Sequence, residues 1–300
     1  MTRPAALAAV LCLGLLGTAC GERAEPTGSA VELYPVTVRS SGQPPVVVRG
    51  RAERIAVVAP GPLTTLLQLG ARERIVAVPG SAARLAGTAA PVVDRRGRIL
   101  WDELEARRPD LIVASPLASG EELGRSGQAT GAAVYVADET SIRGVERSIS
   151  DLGLLVGEPL AARRLIGRIE ESRQTVEERL AGKRRVTVFV DTGFFTTVSD
   201  RSLVGDLIRR AGGRNVAGST PEPGPFDLRH LAEVDPEVYL ATSDSNTSLR
   251  ALRKDARTRR LSAIREGRFA VIPARLLQPG AHTGAALVTI ARLLHPDAFR

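Results

Sequence analysis

The feature that most constrains this chain is a phrase that occurs twice. Asp102-Glu103-Leu104 leads to Pro109-Asp110-Leu111-Ile112-Val113, and Arg229-His230-Leu231 leads at the same spacing to Pro236-Glu237-Val238-Tyr239-Leu240. In both, a short amphipathic stretch breaks at a proline, and an apolar run begins after an acid. A helix-then-strand unit that returns with its internal spacing intact implies two lobes of similar plan.

The flanking segments extend the pattern. Short apolar runs at 55–59, 75–78, 111–114 and 134–136 alternate with helical stretches, and the order resumes at 186–190, 238–241 and 269–272. Helices over 63–69 and 203–211 stop at Gly70 and at Gly212-Gly213. Strands apolar along both faces belong to parallel sheets covered on two sides. Ahead of them, Val36-Thr37-Val38 and Val46-Val47-Val48 flank Ser40-Ser41-Gly42, the pattern of a hairpin.

What joins the halves is helical twice over. Ile142, Val145, Ile149, Leu152 and Val156 keep a three- and four-residue spacing up to Gly157. Pro159, suited to a first helical position, opens a second helix in which Leu160, Leu165, Ile166, Ile169, Val176 and Leu180 recur until Gly182. At about 1.5 Å per residue this helix spans roughly 34 Å, the width of a small domain. It lacks the sustained heptads of a coiled-coil arm. The expected fold is α/β: two similar parallel-sheet lobes, 33–157 and 183–300, joined by one long rigid helix over 158–182.

Composition narrows the functional classes. The only two cysteines, Cys12 and Cys20, lie near the start, so the body has no internal disulfide and no cysteine zinc site. Residues 1–19 read as an export signal, with Thr2-Arg3-Pro4 as charged start, an apolar stretch over 5–16, and Gly17-Thr18-Ala19 before Cys20. That stretch is too short to cross a hydrocarbon core of roughly 30 Å. Leu-Leu-Gly-Thr-Ala-Cys20 resembles a bacterial lipoprotein box, in which the cysteine is lipidated and the chain is cut just before it. An ordinary signal peptidase would cut the same bond and leave Cys20 bare. Residues 20–32, polar and without period, suit a tether.

The 41 Lys plus Arg exceed 33 Asp plus Glu, for a net charge of +8, which favours anionic partners. Thirty-nine of the 41 are arginines spread over the whole chain, and aromatics are only 3%, so stacked nucleic acid is disfavoured. No Gly-x-Ser-x-Gly, His-Glu-x-x-His or phosphate-binding Gly-Lys-Ser/Thr loop occurs, and the chain reads as a non-enzyme. Asp191, at a strand end, reads as a loop cap. His230, His282 and His295 are too widely spaced for a bare-metal site, so no metal and no intrinsic cofactor is expected.

Seven phrases carry a wider resemblance. They are Tyr34-Pro-Val-Thr-Val38, Glu53-Arg-Ile-Ala-Val-Val-Ala59, Leu69-Gly-Ala-Arg-Glu-Arg-Ile-Val-Ala-Val78, Arg108-Pro-Asp-Leu-Ile-Val113, Leu203-Val-Gly-Asp-Leu-Ile208, Ala211-Gly-Gly-Arg-Asn-Val216 and Gly267-Arg-Phe-Ala-Val-Ile-Pro273. In this order, over most of residues 33–297, the chain resembles the helix-linked class of ABC-transporter substrate-binding proteins, which includes ferric-siderophore, haem and vitamin B12 binders. The first phrase is most similar to the iron-siderophore branch. The resemblance implies a monomer on the outer face of the cytoplasmic membrane, or periplasmic, that holds an iron chelate between its lobes and delivers it to an ABC permease and its ATPase. Haem or a corrinoid is the alternative cargo, and a structural or sensory lipoprotein the alternative role.

The resemblance also implies which loops face the cleft, where open α/β sheets place ligands. Pro60 and Gly61 follow the first strand, with an ordinary turn as the competing reading. Arg95 and Arg96 stand where relatives keep a ligand loop, and guanidinium groups pair with carboxylates or anionic chelates. Phe194 and Phe195 follow the first strand of the second lobe, with Arg201 beyond them. Arg275 and Gln278 occupy the last loop, and Trp101 reads as a core or half-exposed ring. Permease docking in this family uses a carboxylate on each lobe. Asp102 keeps one, whereas Arg229 stands where the second is expected, with Asp227 as a nearby substitute.

Overall fold

The computed structural model describes residues 33–85, 87, 89–94, 96–116, 118, 120–220 and 224–300. The expected signal, tether and Cys20, as well as Arg95, lie outside the described residues.

The first half builds as the apolar runs dictate. β1 (Val36–Val38) and β2 (Val46–Val48) pair antiparallel, burying Val38, Val46 and Val48 while Val47 points outward. The hairpin joins the sheet edge through Ser40, whose Oγ accepts from the Val136 N–H at 2.8 Å. Then follow β3 (Ile55–Val57), α1 (Pro60–Gln68), β4 (Ile75–Pro79), β5 (Ala90–Val93), α2 (Trp101–Ala106), β6 (Leu111–Ala114), α3 (Gly120–Thr130) and β7 (Ala133–Val136). The sheet order is β5-β4-β3-β6-β7, parallel throughout.

α4 (Ile142–Leu155) and α5 (Pro159–Leu180) form the bridge. Beyond it lie β8 (Val186–Asp191), β9 (Thr196–Thr197), α6 (Leu203–Arg210), β10 (Gly213–Asn215), β11 (Gly224–Pro225), α7 (Leu228–Val234), β12 (Val238–Thr242), α8 (Leu249–Lys254), α9 (Ser262–Arg265), β13 (Phe269–Ile272) and α10 (Thr283–Leu294). The second sheet runs β10-β8-β12-β13, again parallel, and β9 pairs with β11 in a separate antiparallel patch. In each lobe the first strand lies between the second strand and the strand that follows the repeated phrase. The second sheet therefore repeats β4-β3-β6-β7 without a partner for β5.

The repetition extends to individual hydrogen bonds. Asp110 accepts from the backbone N–H groups of Glu53 and Arg54, at 2.8 and 3.0 Å, just ahead of β3. Glu237, its counterpart, accepts from the Thr187 N–H at 2.9 Å inside β8. The acid after each proline thus fastens the start of the neighbouring strand. Arg184 hydrogen-bonds Glu237 and, helped by that backbone N–H, holds its carboxyl down at about 2. The residue before each proline, Arg108 or Asp235, has positive φ, 46° and 38°.

α5 is unbroken, as its spacing demands, and packs on α4 on one side and on α10 and α6 on the other. Its buried face is Ala162, Leu165, Ile169 and Val176. Leu160, assigned to that face from its spacing, is 64% exposed because it projects outward from the first turn. α4 and α5 approach so closely that a Cβ on Gly153 would lie 2.4 Å from the Ala162 Cβ. One continuous core runs from Val57 and Ile149 through Leu165 and Ile169 to Val188, Leu207 and Ile290. The far face of each sheet has its own cluster, around Ile112 and Leu123 in the first lobe and around Phe189 and Tyr239 in the second.

Candidate functional site

The ends of β3, β4, β5 and β6 open onto a cavity of about 530 Å³, lined by Ala59, Pro60, Ser81, Asp94, Gly97 and Ser115 among others. This is the carboxyl end of a parallel sheet, and the volume lies within the range of small-molecule sites. Asp94 shapes the rim. Its Oδ1 accepts from the backbone N–H groups of Arg96 and Arg98, and its Oδ2 from the Arg98 side chain at 2.9 Å. Those bonds, led by the Arg98 backbone, lower the Asp94 pKa below the usual carboxylate range. Arg96 is exposed, and its guanidinium makes no hydrogen bond or ion pair among the described residues.

In the second lobe the corresponding loop is set by one buried acid. Asp191 is 1% exposed and takes four hydrogen bonds. Oδ1 accepts from the N–H groups of Gly193 (2.8 Å) and Phe195 (3.1 Å), and Oδ2 from the hydroxyls of Tyr239 (2.8 Å) and Thr247 (2.7 Å). The loop-cap reading of Asp191 fits this geometry. Burial, with the Asp191 charge beside it, raises the Tyr239 pKa.

The same bonds hold two consecutive aromatics in the left-handed region, with φ of 51° at Phe194 and 59° at Phe195. Such conformations cost about 1–3 kcal/mol each and persist only where the surroundings fix them. The two rings separate. Phe195 is half-buried against the second-lobe cluster, with the Arg257 guanidinium 5.8 Å from its centroid, whereas Phe194 is 90% exposed.

Gly61 lies in the first turn of α1, where a Cβ would meet the Glu139 Oε1 at 2.7 Å and the Pro279 carbonyl oxygen at 2.8 Å. The close approach there is between parts of the protein: α1, the segment after β7, and the last loop of the second lobe. Burial, reinforced by the Asp138 charge, pushes the Glu139 carboxyl up to about 7. His282, at the start of α10, has its Nε2 buried without a hydrogen-bond partner among the described residues, and burial lowers its pKa.

The remaining sequence-derived residues fall as follows. Pro60 is exposed on the cavity wall. Arg201 is exposed just before α6, its backbone N–H bonded to the Ser199 Oγ. Arg275 and Gln278 are exposed at the turn that leads to Pro279. Trp101 packs half-buried on the first-lobe cluster. Asp102 is exposed in the first turn of α2, and Arg229 is exposed in α7. Asp227 caps α7, its Oδ1 accepting from the Arg229 N–H at 2.8 Å, so one of its oxygens is engaged by the helix itself. His230 pairs with Glu233 at 3.3 Å, and the His295 Nε2 lies 3.2 Å from the Gly212 carbonyl oxygen.

Sequence reasoning did not single out Asp94 or Glu139. The first was legible, because an Asp before Arg-Arg-Gly-Arg is an Asx-turn signature. Glu139 carries no periodic signal and is revealed only by what encloses it. Among the described residues, no cluster of three His, Cys, Asp or Glu is placed to hold a metal ion, and no helix is long and apolar enough to cross a membrane.

Two parallel-sheet lobes, one linking helix and a cavity at the strand ends define a helix-linked solute-binding protein. The chain belongs to the periplasmic binding protein family, whose model matches residues 55–276. Helicobacter pylori CeuE with Ni(II) bound superposes with a TM-score of 0.76 at 15% identity, covering 88% of this chain and 90% of that one. Haemophilus influenzae MolA with molybdate bound gives 0.74 at 17% over 88% and 92%, and the vitamin B12 binding protein BtuF of Vibrio cholerae 0.71 at 17% over 83% and 98%. At these identities the likeness is one of fold. Two curated relatives from Halobacterium salinarum strains, both named cobalamin-binding protein, are 23% identical over 215 residues, or 69% of this chain. The match spans 58% of those relatives' length.

Proposed function

We propose that this protein is the extracytoplasmic receptor of an ABC importer, exported and held to the membrane through a lipid on Cys20. It captures a ferric siderophore or similar anionic metal chelate between its lobes and passes it, as a monomer, to a permease driven by an ATPase. Pro60, Arg95 and Arg96 contact the cargo from the first lobe, and Phe194, Arg201, Arg275 and Gln278 from the second. Phe195 and Gly61 hold the two walls in shape. Asp102 and the α7 segment with Asp227 and Arg229 meet the permease. Capture requires no bond making.

The cavity at the first-lobe strand ends carries this reading, because Asp94 and Gly97 of its lining bracket Arg96 in the chain, which is exposed and whose guanidinium has no partner among the described residues. A flat ring system would need more aromatic surface than a chain with 3% aromatics supplies. The cobalamin-binding relatives favour a second reading, a corrinoid whose ring edge rests on Phe194. Native mass spectrometry of protein purified from its own host separates the two. A retained iron chelate, with its absorption band, supports the first. A retained corrinoid replaces it with the second, and cleavage of either compound by the protein contradicts both.

A further inference from the structure

We propose that the segment spanning α8 and α9, residues 249–268, is a docking surface for an anionic phospholipid membrane. These twenty residues carry eight Lys and Arg against Asp255 and Glu266, a net of +6 (8 − 2), so the other residues of the +8 chain contribute only +2 (8 − 6). Arg250, Lys254, Arg259, Arg260 and Arg265 are exposed, and their side chains make no hydrogen bond or ion pair among the described residues. Repulsion among so many free cations opposes folding unless a counter-surface neutralises them.

The layer that bears them is fixed in place. Leu252, Leu261, Ala263 and Ile264 are buried against the cluster of Phe189 and Tyr239, on the sheet face away from the α5 layer. Ser248 caps α8, and Ser262 donates its N–H and hydroxyl to Asp235 at 2.7 and 2.6 Å. The cations are thus presented on ordered backbone.

What the segment lacks identifies the partner. No large apolar side chain in it is exposed, since Leu252, Leu261 and Ile264 are buried and Leu249 packs half-buried on the same cluster, so it offers no apolar centre of the kind on which protein interfaces are built. It contains no aromatic residue on which a base could stack. A surface read by charge alone fits a layer of anionic headgroups, to which each Lys or Arg adds about fivefold in affinity. It would be a second attachment beside a lipid anchor, and neither the cargo nor the anchor is needed for it.

The test uses the full chain carrying Cys20→Ser, so that no acyl group contributes, in sedimentation with phosphatidylcholine vesicles and with vesicles that also contain phosphatidylglycerol. The expected result is preferential binding to the anionic vesicles, lost on raising the salt concentration. The variant R250Q/R259Q/R260Q/R265Q should bind at least about 20-fold more weakly. Arg257 is left intact because it packs on Phe195. A control with the same charge loss elsewhere, R143Q/R163Q/R164Q/R168Q, should bind as the parent does. Equal binding to both vesicle types, an unaffected α8–α9 variant, or an equal loss in the control would each overturn the proposal.

Discussion

Asp206 of α6 accepts a hydrogen bond on Oδ2 from the backbone N–H of Ile142, the first residue of α4, at 3.0 Å. The carboxylate is 5% exposed and also receives the guanidinium groups of Arg209 and Arg210. The start of α4 is thereby satisfied from two directions, since the Ser141 Oγ takes the Gly144 N–H at 3.1 Å. An acid of the second lobe completes a helix of the first, beside the long helix that joins them.

Asp206→Ala should therefore destabilise the protein by about 2 kcal/mol, because it strands a buried N–H and removes the acid that gathers two guanidinium groups. Urea denaturation measures this. A change below about 0.5 kcal/mol, the scale of ordinary surface substitutions, would show that the contact does not hold the bridge together.

Asp191 and Phe194 should separate stability from binding. Asp191→Ala leaves two hydroxyls and two N–H groups unpaired and should cost about 3 kcal/mol. Phe194→Ala removes a ring that is 90% exposed, so stability should change by less than about 0.5 kcal/mol, while affinity for the retained cargo falls about tenfold. A stability loss in Phe194→Ala as large as that in Asp191→Ala would place the ring in the core rather than at the site.

The Glu139 carboxyl gives the protein a pH signature. Its folded pKa of about 7 lies above its ordinary 4.5, so the folded state favours the protonated form. The resulting stability is complete below pH 4.5 and is lost as the pH rises to about 7, a span worth about 3 kcal/mol. Glu139→Gln should flatten this part of the stability profile measured by urea denaturation at several pH values. An unchanged slope in the variant would assign the titration to another group.

The doubled phrase made the two lobes legible, and it did so for a physical reason. The proline, the acid and the apolar run each serve the same end in both halves, from the turn at Arg108 or Asp235 to the clasp by Asp110 or Glu237. The strands that sequence reasoning passed over are edge strands. β5 carries Pro91, and β10 is Gly-Arg-Asn, so neither shows the apolar run of a buried central strand. Asp191 was legible as a cap, because an acid at a strand end before a glycine is a local signal. That two adjacent aromatics cannot share one core face was legible too, but which of Phe194 and Phe195 turns outward was not, since it depends on partners at Tyr239, Thr247 and Arg257 far along the chain.

The capture of an anionic metal chelate is tested most directly by melting the protein against ferric hydroxamates, ferric catecholates, haem and cobalamin. At a hundredfold excess over Kd a true cargo adds about 2.7 kcal/mol, which raises Tm by about 5 °C or more in a chain of this size. The expected result is such a shift with at least one ferric chelate, reduced in Arg96→Gln and in Phe194→Ala. No shift with any ferric chelate, whatever haem or cobalamin does, would contradict it.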